Sequence, residues 1–157
     1  MKELILGILR KMELDKEYVK LCLKYGDFDG RSNFNKNEIE PIIQSYDPDF
    51  KYVAKDKTFL KEIAFEEFTV RFFIGFNGGI IGFGYLVWKE GENQNYYKGN
   101  LCTLSKQIDP EFEDKVKYNS PIATSLTDLE EILSEIFGLF ETFKKYFLEE
   151  TQIPAKT

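Results

Sequence analysis

The chain has 157 residues, which suits one domain, and its 43% hydrophobic and 16% aromatic content, with 15 Phe and 9 Tyr, supplies a packed core and excludes a disordered chain. A net charge of −6 and a sequence pI near 4.9 disfavour direct contact with nucleic-acid phosphates and favour a basic partner. The absence of histidine removes the commonest general base and the commonest metal ligand.

The first stretch, MKELILGILRKMELDKEY, does not read as a secretory signal, because Glu3, Arg10 and Lys11 interrupt its apolar run. No run approaches membrane-spanning length, so the expectation is a cytoplasmic protein with no membrane contact. Residues 3–25 predict helix: Leu4, Ile5, Ile8, Leu9, Met12, Tyr18, Leu21, Cys22 and Tyr25 recur at spacings of three and four. The stripe slips at 13–15, where Asp15 is placed to cap a second segment, and Gly26 fits a left-handed position after the helix.

Residues 27–33, DFDGRSN, invite comparison with a calcium loop. With Gly30 as the sixth position, the first and twelfth become Tyr25 and Lys36, where acidic ligands are required. Turn chemistry accounts for the Asp and Gly residues, and no metal is expected. Residues 37–46, NEIEPIIQSY, predict a short helix capped by Asn37 with Pro41 near its first turn. Residues 50–54 predict a short strand, Asp56-Lys57 a turn, and residues 58–65 fit strand and helix equally.

The stretch 68–88, FTVRFFIGFNGGIIGFGYLVW, organises the rest. Asn-Gly between two apolar runs is a strong hairpin signal. A turn at Asn77-Gly78 pairs Ile74 with Ile81, Phe72 with Phe83, Val70 with Tyr85 and Phe68 with Val87, all apolar or aromatic. The opposite face sets Gly75 against Ile80, Phe73 against Gly82, Arg71 against Gly84 and Thr69 against Leu86. Moving the turn to Gly78-Gly79 keeps both faces. A turn at 90–93 and a third long strand over 95–104 follow. Residues 109–111 break that strand, residues 115–118 suggest an edge strand, and Thr127-x-x-Glu130 is a capping box opening a helix to residue 149. Its apolar stripe is Leu129, Ile132, Leu133, Ile136, Phe137, Phe140, Phe143 and Phe147. Residues 150–157 read as a frayed tail.

The predicted fold class is α+β: a single domain over 1–157, with an antiparallel meander packed against N-terminal and C-terminal helices as a two-layer sandwich. No motif for a nucleophile, a phosphate loop, a dinucleotide or zinc is present, and Cys22 and Cys102 have no metal-ligand spacing and read as buried free thiols. No catalytic residue and no cofactor are assigned. Two candidate partner-binding features remain. Asp109, Glu111, Phe112, Glu113 and Asp114 form an acidic loop with one aromatic, the composition of an anchor with a charged rim. The competing reading tucks Phe112 into the core. Arg71, mid-strand beside glycines, anchors an anionic ligand in a groove or pairs with a carboxylate of the fold.

Small acidic α+β chains of this kind resemble the immunity proteins of bacterial toxin systems. The string Phe76-Asn77-Gly78-Gly79 is similar to the Asn-Gly-Gly of the SUKH immunity superfamily, in which the preceding residues usually form a helix; here the β-branched Thr69, Val70 and Ile74 favour strand. The resemblance implies a non-enzymatic protein that binds and neutralises a cognate toxin domain, with a basic toxin such as a nuclease as the expected partner. The alternatives are an acidic secretion chaperone, normally dimeric, and a small-ligand-binding or carboxylate-dependent domain using the groove around Arg71.

Overall fold

A computed structural model describes residues 1–91 and 96–153. Helices α1 (Lys2–Lys11) and α2 (Leu14–Lys24) divide the predicted helical stretch at 12–13, where the stripe slips. The break is made by Glu13, which takes a left-handed conformation (φ 53°) and occupies the cap position given to Asp15. Gly26 is not left-handed; the turn out of α2 is made at Tyr25 (φ −116°, ψ 63°). Helix α3 (Lys36–Tyr46) begins one residue earlier than predicted because Asn35, not Asn37, caps it. The Asn35 side chain accepts from Glu38 N–H, and Glu38 returns a bond to Asn35 N–H.

Five strands follow: β1 (Lys51–Val53), β2 (Thr58–Phe65), β3 (Phe68–Asn77), β4 (Ile80–Lys89) and β5 (Tyr96–Asn100). They form one antiparallel sheet in sequence order, which resolves residues 58–65 as strand. The central hairpin turns on Gly78-Gly79. Its register pairs Ile74 with Phe83, Phe72 with Tyr85 and Val70 with Val87. Gly78 has φ +60° and Gly79 does not share it, the pattern of a type II′ turn with glycine first. The shift from Asn77-Gly78 moves each partner by two residues and leaves both faces intact, because the side-chain period is two.

The predicted third strand is half strand and half helix. At Asn100 the backbone turns into α4 (Leu101–Ile108), and the Asn100 side chain accepts from Thr103 N–H at 2.9 Å. Leu101, Leu104, Ser105 and Ile108 then recur at helical spacing, and the first three are buried. The predicted edge strand over 115–118 is absent. A single helical turn, α5 (Phe112–Lys115), ends where that strand was to begin, and residues 116–118 are irregular. Helix α6 (Leu126–Thr151) is capped by Ser125 rather than Thr127, with Ser125 Oγ accepting from Asp128 N–H. Its eight predicted stripe residues are all buried. Helix α6 runs two residues into the predicted tail, to Thr151. Residues 92–95 and 154–157, which hold the far half of the predicted 90–93 turn, the first residue of the predicted strand and half of the predicted tail, lie outside the described residues.

The helices cover one face of the sheet. Phe140 of α6 lies 4.7 Å from Phe72 and 5.6 Å from Tyr85 between ring centroids, and Phe143 stacks on Tyr85 at 4.2 Å. Tyr18 of α2 meets Phe83 edge-on, and Tyr46 of α3 stacks on Phe137. This aromatic interface is the core, and burying each ring contributes about 2–3 kcal/mol before entropy is counted. The structure is therefore the two-layer α+β arrangement that the alternation implies.

One joint ties the layers together at the end of the hairpin. Ala123 N–H donates to Gly79 O, Ser32 N–H donates to Ala123 O, Ile81 N–H to Pro121 O and Ile122 N–H to Tyr25 O, all between 2.7 and 3.1 Å. The Gly78-Gly79 turn is thus clamped between the α2–α3 loop and the segment before α6.

Candidate functional site

The acidic segment is built as a clasp. Asp109 caps the end of α4, and its carboxylate accepts from Lys115 Nζ at 2.5 Å and from Glu111 N–H at 3.0 Å. Those bonds, the lysine first, hold its carboxyl below the usual carboxylate range. Phe112 is 0% exposed and stacks on Tyr18 of α2 at 5.6 Å. Glu113 is ion-paired with Lys106. Phe112 therefore cannot serve as a surface anchor. The core claims the large ring, and only Glu111, Glu113 and Asp114 face solvent around it.

Arg71 lies on the other side of the sheet, so the structure does not bring it together with residues 109–114. Its cross-strand neighbours are Glu62 of β2 and Leu86 of β4, not Gly84. Nε donates to Glu62 Oε1 at 2.8 Å and Nη2 donates to the same oxygen. Nη1 and Glu62 Oε2 have no hydrogen-bond partner among the described residues. The guanidinium also lies over the Trp88 ring, 5.4 Å from its centroid.

No described helix packs on the sheet face that carries Arg71. The register sets Leu60, Phe73, Gly84 and Asn100 in one row across it, Glu62, Arg71, Leu86 and Lys98 in the next, and Ala64, Thr69, Trp88 and Tyr96 in a third. Leu60, Phe73, Leu86 and Trp88 are partly exposed, and Tyr96 is 52% exposed. Phe73 lies against Gly84, not Gly82: a Cβ on Gly84 would come within 2.6 Å of Phe73 Cζ. The bare pair Gly75 and Gly82 leaves a hollow of about 500 Å³, lined also by Thr58, Asn77 and Ile80.

These groups suit recognition by stacking, apolar packing and ion pairing. Trp88, Leu86, Tyr96, Leu60 and Lys98 escaped the sequence reading as site residues. The signal was present: large apolar residues at the positions that alternate away from the core face. Elsewhere, Cys22 and Cys102 are free and buried, and burial pushes the Cys22 thiol up to about 12, far from thiolate reactivity. No group of three or more Cys, Asp or Glu among the described residues is arranged to hold a metal. No described helix is long and apolar enough to cross a membrane.

Comparison with protein-family models, curated proteins and solved structures finds no match to the chain.

Proposed function

We propose that the chain is a non-enzymatic binding protein of the immunity type, which neutralises a toxin domain by covering it with the outer face of the sheet. The observation that carries this reading is the open face itself. Five large apolar side chains, Leu60, Phe73, Leu86, Trp88 and Tyr96, lie around one ion pair, and no described helix packs on them. A soluble domain exposes so contiguous an apolar surface where another macromolecule is to be bound. The face carries Trp, Tyr and Arg, the residue types that dominate binding energy.

The test is to sequence the genes beside this chain and co-express it with any toxin domain found there; the absence of such a domain counts against the reading. The native chain restores growth and co-purifies with the toxin; Leu86→Asp with Trp88→Asp abolishes both while the far-UV spectrum and melting transition are kept. Failure of the native chain to bind or rescue sinks the reading. A stable dimer through the same face, seen by sedimentation, points instead to the secretion-chaperone alternative.

A further inference from the structure

The charges of the outer face run against those of the whole molecule. Along the five strands it carries Lys51, Arg71 and Lys98 against one carboxylate, Glu62, in a chain of net charge −6. Glu62 is already taken by Arg71, whose Nη1 still lacks a hydrogen-bond partner among the described residues. Lys98 is exposed and carries no ion pair among the described residues. Among the described residues, the carboxylates Glu66, Glu67 and Glu90 sit beyond the face at one end of β2 and β4, with Glu67 paired with Lys89, and Asp56 sits beside Lys57 at the other end, both lining the hollow.

We infer that the partner segment this face receives is acidic and apolar: carboxylates opposite Arg71 and Lys98, with aliphatic or aromatic side chains on Phe73, Leu86 and Trp88. This rests on the binding-protein reading above and reverses the expectation of a basic partner. A net charge averages over a surface, whereas a partner meets only one part of it. A second copy of the chain is a poor occupant, since two such faces would set cations against cations. A single-stranded nucleic acid would find aromatic platforms, but a surplus of two cations is little to hold a phosphate backbone that the rest of the molecule repels.

Panning a phage-displayed library of random peptides against the native chain tests this, with each footprint mapped by amide chemical-shift changes. The expected result is enrichment of Asp- and Glu-rich peptides with apolar residues, perturbing Arg71, Leu86, Trp88 and Lys98. Lys98→Glu then weakens a selected peptide by roughly tenfold, and adding Arg71→Glu weakens it further. Lys98 makes no ion pair among the described residues, so the single variant stays informative if the double one unfolds. Basic peptides selected on the same face overturn the charge inference and leave the face as the binding surface. No selected peptide, or footprints confined to the helical layer, overturns both. Tighter binding of a thymidine oligonucleotide at the same residues, or a concentration-dependent dimer broken by Leu86→Asp, also overturns it.

Discussion

Ala123 and Gly79 hold each other at a distance that only glycine allows. Ala123 N–H donates to Gly79 O at 2.8 Å, while Ala123 O stands 2.5 Å and Ser32 O 2.7 Å from where a Cβ on Gly79 would sit. Both obstructions are backbone, so neither can rotate away. Gly79→Ala is expected to cost about 1–3 kcal/mol in urea denaturation, as overpacking does. Gly82→Ala, with nothing within 4 Å of its Cβ, is expected to be neutral or stabilising by about 0.5–1 kcal/mol. Equal effects at the two glycines would mean that the clamp does not form.

The turn position makes a second, finer prediction. With Gly78 in the left-handed region and Asn77 the last strand residue, Gly78→Ala is expected to lose about 1 kcal/mol and Asn77→Ala less than about 0.5 kcal/mol. A turn centred on Asn77-Gly78 requires positive φ at both, and both changes would then be costly. Thermal melts of the two variants decide between the registers.

Phe140 and Phe73 separate stability from binding. Phe140 is buried among Phe50, Phe72, Phe83, Tyr85 and Phe137, so Phe140→Ala is expected to cost about 3–5 kcal/mol. Phe73 is partly exposed on the opposite face, and its truncation loses mainly the contact with Gly84, about 1 kcal/mol. Phe73→Ala should nevertheless weaken partner binding. A Phe73 variant as unstable as the Phe140 variant would place its ring in the core.

Asp47 supplies the pH dependence. It ends α3 and accepts from Lys61 on β2, joining helix to sheet. Burial raises its pKa, but the Lys61 bond and the Asp49 N–H outweigh that, and the net direction is below its ordinary value of 3.8. A carboxyl depressed in the folded state contributes stability that is present above its unfolded pKa and lost as pH falls through the folded one. Asp47→Asn is therefore expected to lower stability at pH 7 by about 1 kcal/mol and to flatten its decline below about pH 4. Parallel acid limbs for variant and native protein in urea titrations would contradict this.

The sequence disclosed the fold better than the site, for identifiable reasons. The α6 stripe was legible in every residue because a long helix repeats its period enough times to leave no alternative. The hairpin faces were legible even though the register was off by two, since period-two alternation survives an even shift. Residues 95–104 misled because Tyr96 and Tyr97 suggest strand and the cap at Asn100 lies inside the run. The spacing Leu101, Leu104, Ile108 was a helical signal outweighed by its neighbours. Phe112 misled differently: four surrounding carboxylates describe the solvent side of a helical turn and say nothing about where its ring goes. The outer face was half legible. Alternation separated it from the core, but which of its residues form rows depends on the register, and only the register pairs Arg71 with Glu62 and Leu86.

The sheet is ordered as it is synthesised, each strand beside the one made just before it, and it is complete at Asn100. Its main aromatic cover, α6, begins only at Leu126. During translation the rings of Phe72, Phe83 and Tyr85 therefore exist as a finished surface before Phe140 and Phe143 have left the ribosome. The nascent chain passes through a stage in which the inner face is covered only by the helices already made, as where Tyr18 meets Phe83, and still waits for its last helix, while the outer face is open. Interruption of synthesis anywhere between these two points leaves a chain whose aromatic core lacks its main cover, the kind that chaperones hold.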